Sequence, residues 1–165
     1  MQTNLNRRDS GTICSIEERL VYFLCSKDQA KNLMPGHFRN ATVIAETLES
    51  ASVSGAPTPC DLSLDFHPPG LDSLYRFSFV ISSVIRRTCD RMVIICGGNS
   101  PRMATNAALC TGAYLILCRD YCVEEVERLF RSTAASFIPY NDGIILSDCW
   151  RALAHARCYF VHTTS

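Results

Sequence analysis

Cys96 and Arg102 are the residues of this chain whose types and spacing could do chemistry together. Five residues separate them. Cys96 ends the apolar run Val93–Cys96, which is typical of a buried strand. A thiolate is a strong nucleophile, and a guanidinium offers a planar fork of donors that matches the oxygens of a phosphate group. Asp65 lies in a turn 31 residues before the cysteine and could protonate a leaving oxygen. The spacing therefore predicts cleavage of a phosphate ester as the first chemistry to consider.

The residues around this pair are typical of a phosphate-binding loop followed by a helix, but they lack three side chains of the catalytic motif. Ser100 is a favoured N-cap and Pro101 a favoured first helical residue, so a helix is predicted to aim N–H groups at an anion. Cysteine-dependent phosphatases have His before the cysteine, Gly three residues after it, and Ser or Thr after the arginine. Here these positions hold Ile95, Asn99 and Met103. The missing Gly matters most because the loop needs backbone dihedrals that Gly adopts freely and Asn only tolerates.

The spacing itself is also what chance produces in this composition. With ten Cys and 14 Arg among 165 residues, about one such pair is expected without any selection for it. A second pair does occur, Cys122 and Arg128, and it lies along a predicted helix where it cannot surround a ligand. The sequence therefore favours a non-catalytic loop descended from a phosphate-binding one.

Composition excludes several other classes of function. Basic and acidic residues balance at 16 each, which argues against electrostatic capture of nucleic acid or an anionic membrane. No apolar run approaches the roughly 20 residues of a membrane span, and residues 1–8 lack a secretory signal. We therefore expect a cytoplasmic or nuclear protein whose ten Cys are reduced. The four His lie apart and no Cys-x-x-Cys pair occurs, so we expect neither a metal site nor a cofactor.

Hydrophobic periodicity and turn residues predict one α/β domain, a central sheet of about four to five strands flanked by helices. Its expected extent is 13–160, between short tails at 1–12 and 161–165, with a flexible insertion at about 26–60. Within the insertion, Val43–Leu48 fits a short helix or a strand. The remaining predicted elements are strands at Ile13–Ile16, Leu20–Cys25 and Arg91–Cys96, and helices at about Leu71–Cys89, Pro101–Arg119, Val123–Thr133 and Ile145–Tyr159.

An ordered set of short motifs resembles one family, the cell-division-cycle-fourteen or mitotic-exit dual-specificity phosphatases, in their N-terminal half. The resemblance covers about residues 13–160. Its motifs are Ile16–Leu20, Asp65–Leu71, Leu74–Phe77, Asn106–Ala108, Gly112–Tyr114, Glu124–Glu125, Ile138–Asp142 and Asp148–Cys149. His67 departs from the family, which has Gly at that position.

The resemblance implies a role that differs from catalysis at Cys96. These enzymes have two tandem domains of dual-specificity phosphatase fold, and only the second carries the catalytic loop. The first contributes acidic residues to a groove between the domains, which favours substrates with a basic residue shortly after a phosphoserine-proline. By position, the residues implied here are Glu124, Glu125 and Asp142. The two Glu could equally stabilise a helix N-terminus, and Asp142 could be a turn residue beside Gly143.

Two functions therefore remain open from the sequence. In the first, the chain is the substrate-recognition half of a phosphatase acting on phosphoserine, phosphothreonine and phosphotyrosine in the cell cycle, without catalysis of its own. Its partners would be the phosphoprotein and a C-terminal catalytic domain. In the alternative, the chain is a minimal cysteine-dependent phosphatase that uses Cys96, Arg102 and Asp65.

Overall fold

The central sheet brings together segments that lie far apart in the sequence. The computed structural model describes residues 13–17, 20–23, 41–44, 66–88, 92–97 and 100–162. Its four strands are β1 (Ile13–Glu17), β2 (Leu20–Phe23), β3 (Ala41–Ile44) and β4 (Met92–Cys96), in the order β1-β2-β4-β3. β1 and β2 form an antiparallel hairpin, while β2 and β3 both run parallel to β4.

Strand β4 is apolar along its length because both faces of the sheet are covered at this point. Leu20 pairs with Val93, and both side chains are fully buried on the face that packs against the helices. Val21 pairs with Ile94 on the opposite face, and these two are only 5% and 2% exposed. Parallel strands buried on both faces require such continuous apolar runs instead of an alternating pattern.

The described residues include four α-helices: α1 (Leu71–Arg87), α2 (Pro101–Cys118), α3 (Val123–Phe130) and α4 (Leu146–His162). Two 3₁₀ helices, Arg131–Ser136 and Asn141–Gly143, lie between α3 and α4. Twelve of the 18 residues of α2 are buried, because this helix packs against α1, α4 and the sheet at once. A helix buried nearly all round is apolar on most sides.

The contact between α2 and α4 depends on a missing side chain. A Cβ atom at Gly112 would overlap the indole ring of Trp150, so the two helices can approach closely only because Gly112 has none. The indole is 2% exposed and stacks on Phe130, with ring centroids 5.5 Å apart. Its Nε1 is buried and has no hydrogen-bond partner among the described residues. Tight packing therefore takes precedence here over the hydrogen bond that a buried indole usually makes.

The structure confirms the α/β class and the β1–β2 hairpin, and it refines several boundaries. Of the segment Val43–Leu48, which fits either a helix or a strand, Val43 and Ile44 belong to the strand Ala41–Ile44, and residues 45–48 lie outside the described residues. Part of the predicted flexible insertion therefore belongs to the sheet. The helical conformation predicted to reach Thr133 changes to 3₁₀ after Phe130, and α4 continues to His162, into the predicted tail. The described residues contribute four strands, and the total of four to five stays a prediction.

Of the predicted flexible insertion at about 26–60, residues 26–40 and 45–60 lie outside the described residues. Within the described part, no helix is both long enough and apolar enough to cross a bilayer. No group of three or more metal-ligating side chains comes together there either.

We predict that Gly112→Ala destabilises the protein by about 2 kcal/mol, because the new methyl group must displace the Trp150 indole. Alanine favours a helix over glycine by about 1 kcal/mol, so net destabilisation indicates that the overlap dominates. Urea unfolding monitored by circular dichroism measures the change. The double variant Gly112→Ala/Trp150→Phe should cost less than the sum of the two single variants, and additive costs would contradict this packing.

Candidate functional site

The edge of the sheet where β4 ends is the region that the Cys–Arg spacing singled out. Cys96 is the last residue of β4, and its thiol is only 4% exposed. Strand alternation places it on the same face as Ile94, within the packing of the sheet. A nucleophilic cysteine must present its sulfur to a substrate at a helix N-terminus, so this position suits a small core residue better.

Arg102 lies two residues into α2, and its side chain packs over an aromatic ring. The guanidinium Cζ atom lies 5.3 Å from the centroid of the Phe66 ring, the geometry of a cation–π contact. In a catalytic loop the guanidinium would instead direct its paired N–H groups at the centre of the loop. The structure therefore gives Arg102 a packing partner on the segment that precedes α1.

The first turn of α2 offers few N–H groups to an anion. Pro101 has none, and the N–H of Met103 donates to the Ser100 hydroxyl at 3.2 Å, as the predicted N-cap requires. The next N–H, of Ala104, bonds the Ser100 carbonyl at 2.9 Å. Among the first three helical residues, at most the N–H of Arg102 could therefore face a ligand. The loop residues Gly98 and Asn99 lie outside the described residues.

Phe66 is held in place from a distant part of the chain. Its N–H donates to the Asn141 side-chain Oδ1 at 3.1 Å, and its carbonyl accepts from the Asn141 N–H at 2.8 Å. The Phe66 ring also stacks on Tyr140, with centroids 4.5 Å apart. This pair of hydrogen bonds fixes the backbone directly after Asp65, the candidate proton donor, which itself lies outside the described residues.

Two side chains of α2 anchor the segment that carries Tyr140. The Tyr140 hydroxyl donates to Asn106 Oδ1 at 3.0 Å, and burial raises the pKa of this phenol far above its usual range, so it stays a donor. The Thr105 hydroxyl accepts from the Ile138 N–H at 3.0 Å and donates to the Pro101 carbonyl at 2.8 Å. The sequence motif around Ile138–Asp142 is thus pinned to the N-terminal half of α2.

Glu124 and Glu125 lie at the N-terminus of α3, and both are exposed. Glu125 Oε2 accepts from the Cys122 N–H at 2.8 Å, which completes a capping box. This bond is the main reason that the pKa of Glu125 lies below its usual value. Hydrogen bonds with its own N–H and with the Cys122 side chain lower the pKa of Glu124, and the nearby Arg151 adds a smaller effect. Glu125 therefore has a structural task, whereas Glu124 points its charge at the surface near α4.

Asp142 is exposed and adopts the left-handed backbone conformation, with φ of +61°. A non-glycine residue rarely does so, although Asp tolerates this conformation better than most. The adjoining residue Asn141 makes the turn rigid through its bonds to Phe66. The Asp142 carboxylate makes no hydrogen bond or ion pair with the described residues, so it is available for a ligand.

Different elements carry the three acidic residues. Asp142 neighbours the contacts made with the N-terminal half of α2, whereas Glu124 and Glu125 follow soon after its C-terminus.

Sequence reasoning missed a second group of charges, which surrounds Arg151 on α4. Its guanidinium lies 3.3 Å from Glu127 Oε1 and 3.7 Å from Asp148 Oδ1. Of these three residues, Glu127 lines an open pocket of about 360 Å³, whose walls are mostly apolar and include Phe130, Phe137, Ile138, Ile145, Leu146 and Trp150. The ion pair Asp148–Arg151 has helical i,i+3 spacing and could have been found from sequence. The contact with Glu127 depends on how α3 packs beside α4.

Comparison with known families gives one clear match. Residues 14–158 match the family model described as "Dual specificity protein phosphatase, N-terminal half". No curated protein matches the chain.

We predict that Asn141→Ala destabilises the protein by about 1–2 kcal/mol, because the partly buried Phe66 N–H loses its acceptor. Asn141→Asp keeps an oxygen at the same position and serves as the matched control, with a smaller loss. Equilibrium denaturation in guanidinium chloride measures both. Equal losses in the two variants would show that the side-chain acceptor is not what holds Phe66.

Proposed function

The chain belongs to the dual-specificity protein phosphatase family, as the N-terminal half of such an enzyme, and on that premise we propose that it recognises substrates without catalysing their dephosphorylation. One observation carries the proposal: the thiol of Cys96 is buried at the end of a strand while the Arg102 guanidinium packs on Phe66. The thiol that would attack a phosphate is thus part of the packed sheet, and the guanidinium that would hold it packs on an aromatic ring.

Three further features support the absence of catalysis. The N-terminus of α2 is capped by Ser100, whose hydroxyl accepts a hydrogen bond from the Met103 N–H. Ile95 stands where a catalytic loop has His, and it is fully buried. Met103 stands where the motif has Ser or Thr, so no hydroxyl is available at that position. The alternative, a minimal phosphatase with Cys96, Arg102 and Asp65, would need both Cys96 and Arg102 to leave their present surroundings.

For recognition, we propose that Asp142 is the main contact for a basic substrate residue. Its carboxylate is exposed beside a rigid turn, whereas Glu125 is held in a capping box. Glu124 ranks second, because its carboxylate already interacts with the Cys122 side chain and lies near Arg151.

The wider role follows the motif resemblance. We propose that the chain acts with a C-terminal catalytic domain on phosphoserine-proline proteins of the cell cycle, in the manner of mitotic-exit phosphatases. The nucleus and cytoplasm are the compartments where such substrates occur.

The proposal predicts no turnover of an aryl phosphate by the purified 165-residue chain, and no difference between it and Cys96→Ser. A thiol-alkylating reagent should modify the exposed Cys118 and Cys158 well before the buried Cys96 and Cys110, because a buried thiol is inaccessible and burial raises the pKa of Cys110 to about 12. Mass spectrometry of peptides gives the order of modification. Turnover that disappears in Cys96→Ser, or alkylation of Cys96 first, would establish the catalytic alternative instead.

For recognition we predict that Asp142→Lys weakens binding of a phosphoserine-proline-x-lysine peptide roughly threefold or more, measured by fluorescence anisotropy at low salt. Glu124→Lys/Glu125→Lys should have a smaller effect. Asp72→Lys on α1 is the matched control, since it reverses an equally exposed carboxylate elsewhere. Asp142→Lys should not change the affinity for a peptide that has alanine in place of the lysine. Equal binding by all the variants would show that these carboxylates do not take part in substrate recognition.

A further inference from the structure

The open pocket beside α3 has the dimensions of a small-molecule site. It lies between the C-terminal end of α3, the 3₁₀ helix Arg131–Ser136 and the start of α4, and its volume is about 360 Å³. Its walls are mostly apolar, and three of the side chains that form them are aromatic: Phe130, Phe137 and Trp150. The recognition role proposed above leaves this volume unused, because its three acidic residues are not part of the walls.

The aromatic walls are held in place by the core. Phe130 stacks on Trp150, with ring centroids 5.5 Å apart, and meets Phe137 edge-on at 6.0 Å. Phe130 and Trp150 are each only 2% exposed, so their rings are positioned by the packing behind them. A ligand with an apolar body can therefore enter without first ordering these side chains, which lowers the entropic cost of binding.

Arg131 brings a positive charge to the wall of this pocket. The residue is exposed, and its guanidinium makes no hydrogen bond or ion pair with the other described residues. Arg131 is the C-cap of α3, where the helix dipole favours a cation but supplies only a partial counter-charge. The guanidinium therefore retains its capacity to bind a carboxylate through paired N–H groups.

The negative charge in the wall already has a partner. Glu127 Oε1 lies 3.3 Å from the Arg151 guanidinium, and the Glu127 side chain is 34% exposed. Arg151 also lies 3.7 Å from Asp148 Oδ1, but the contact with Glu127 is the shorter one. Among the residues that line the pocket, the charge without a counter-charge is thus that of Arg131. This distribution favours an anionic ligand over a cationic one.

We propose that this pocket binds a small monocarboxylate with an apolar body. Its carboxylate pairs with Arg131, and its apolar body lies against Phe130, Phe137 and Trp150. Because the pocket is open and the ion pair is accessible to water, we expect weak binding, with a dissociation constant on the order of 0.1–1 mM for a ligand of one ring. The inference does not depend on the phosphatase role, because it uses only the walls of this pocket.

Three ligands of similar shape and different charge test the proposal: phenylpropionate, phenylpropanol and phenylpropylamine. Each is titrated into the purified 165-residue chain, and saturation-transfer NMR measures its binding. The fluorescence of Trp150, the chain's single tryptophan, reports whether the ligand is in the pocket. We expect phenylpropionate to bind roughly threefold or more tighter than the alcohol, and the amine to bind most weakly.

Two variants locate the ligand. Arg131→Ala should reduce the affinity for phenylpropionate to that for the alcohol, while Arg128→Ala is the matched control, since Arg128 is an exposed arginine of α3 that does not line the pocket. Ala134→Phe, at an exposed position in the wall, should weaken binding of all three ligands because the ring occupies part of the volume. Circular dichroism should show the same fold in each variant.

The results that would overturn the proposal are distinct. One is the absence of saturable binding of phenylpropionate at concentrations well above the expected dissociation constant. Tighter binding of the amine would show that Glu127 provides the polar contact instead. A preference for the carboxylate that survives Arg131→Ala, or binding that Ala134→Phe leaves unchanged, would place the ligand outside this pocket.

Discussion

The close contact between the backbone of Gly112 and the indole of Trp150 sets the distance between α2 and α4. Trp150 in turn stacks on Phe130, which meets Tyr22 of the sheet edge-on, with ring centroids 5.2 Å apart. The Tyr22 hydroxyl then donates to the Ala104 carbonyl at 3.0 Å, which returns the chain of contacts to α2. The sheet, α3 and α4 are thus all positioned against one buried helix, and among the described residues the indole N–H has no hydrogen-bond acceptor.

With α2 held on all sides, its N-terminus becomes a fixed platform beside the end of β4. In a catalytic phosphatase domain this strand–loop–helix geometry serves to bind phosphate. Here the same geometry is stabilised internally, by the Ser100 cap, by Arg102 on Phe66 and by the hydrogen bonds between Phe66 and Asn141. The loss of catalysis that we propose is therefore a change in what the groups contact, within a shared framework.

The same framework holds the turn that carries Asp142. This turn is pinned to α2 through Tyr140 and Asn106, on the edge where β4 ends.

The sequence by itself determined what depends on near neighbours. Ser100 and Pro101 mark the start of α2, the apolar run of β4 marks a strand buried on both faces, and the three substituted motif positions argue against catalysis at Cys96. Only the tertiary structure decided the partners of the candidate residues. Phe66 and Asn141 are 75 residues apart, and the contact between Arg151 and Glu127 depends on how α3 packs beside α4. Caps and strand patterns are set by local backbone geometry, whereas such pairings exist only after the core has assembled around α2.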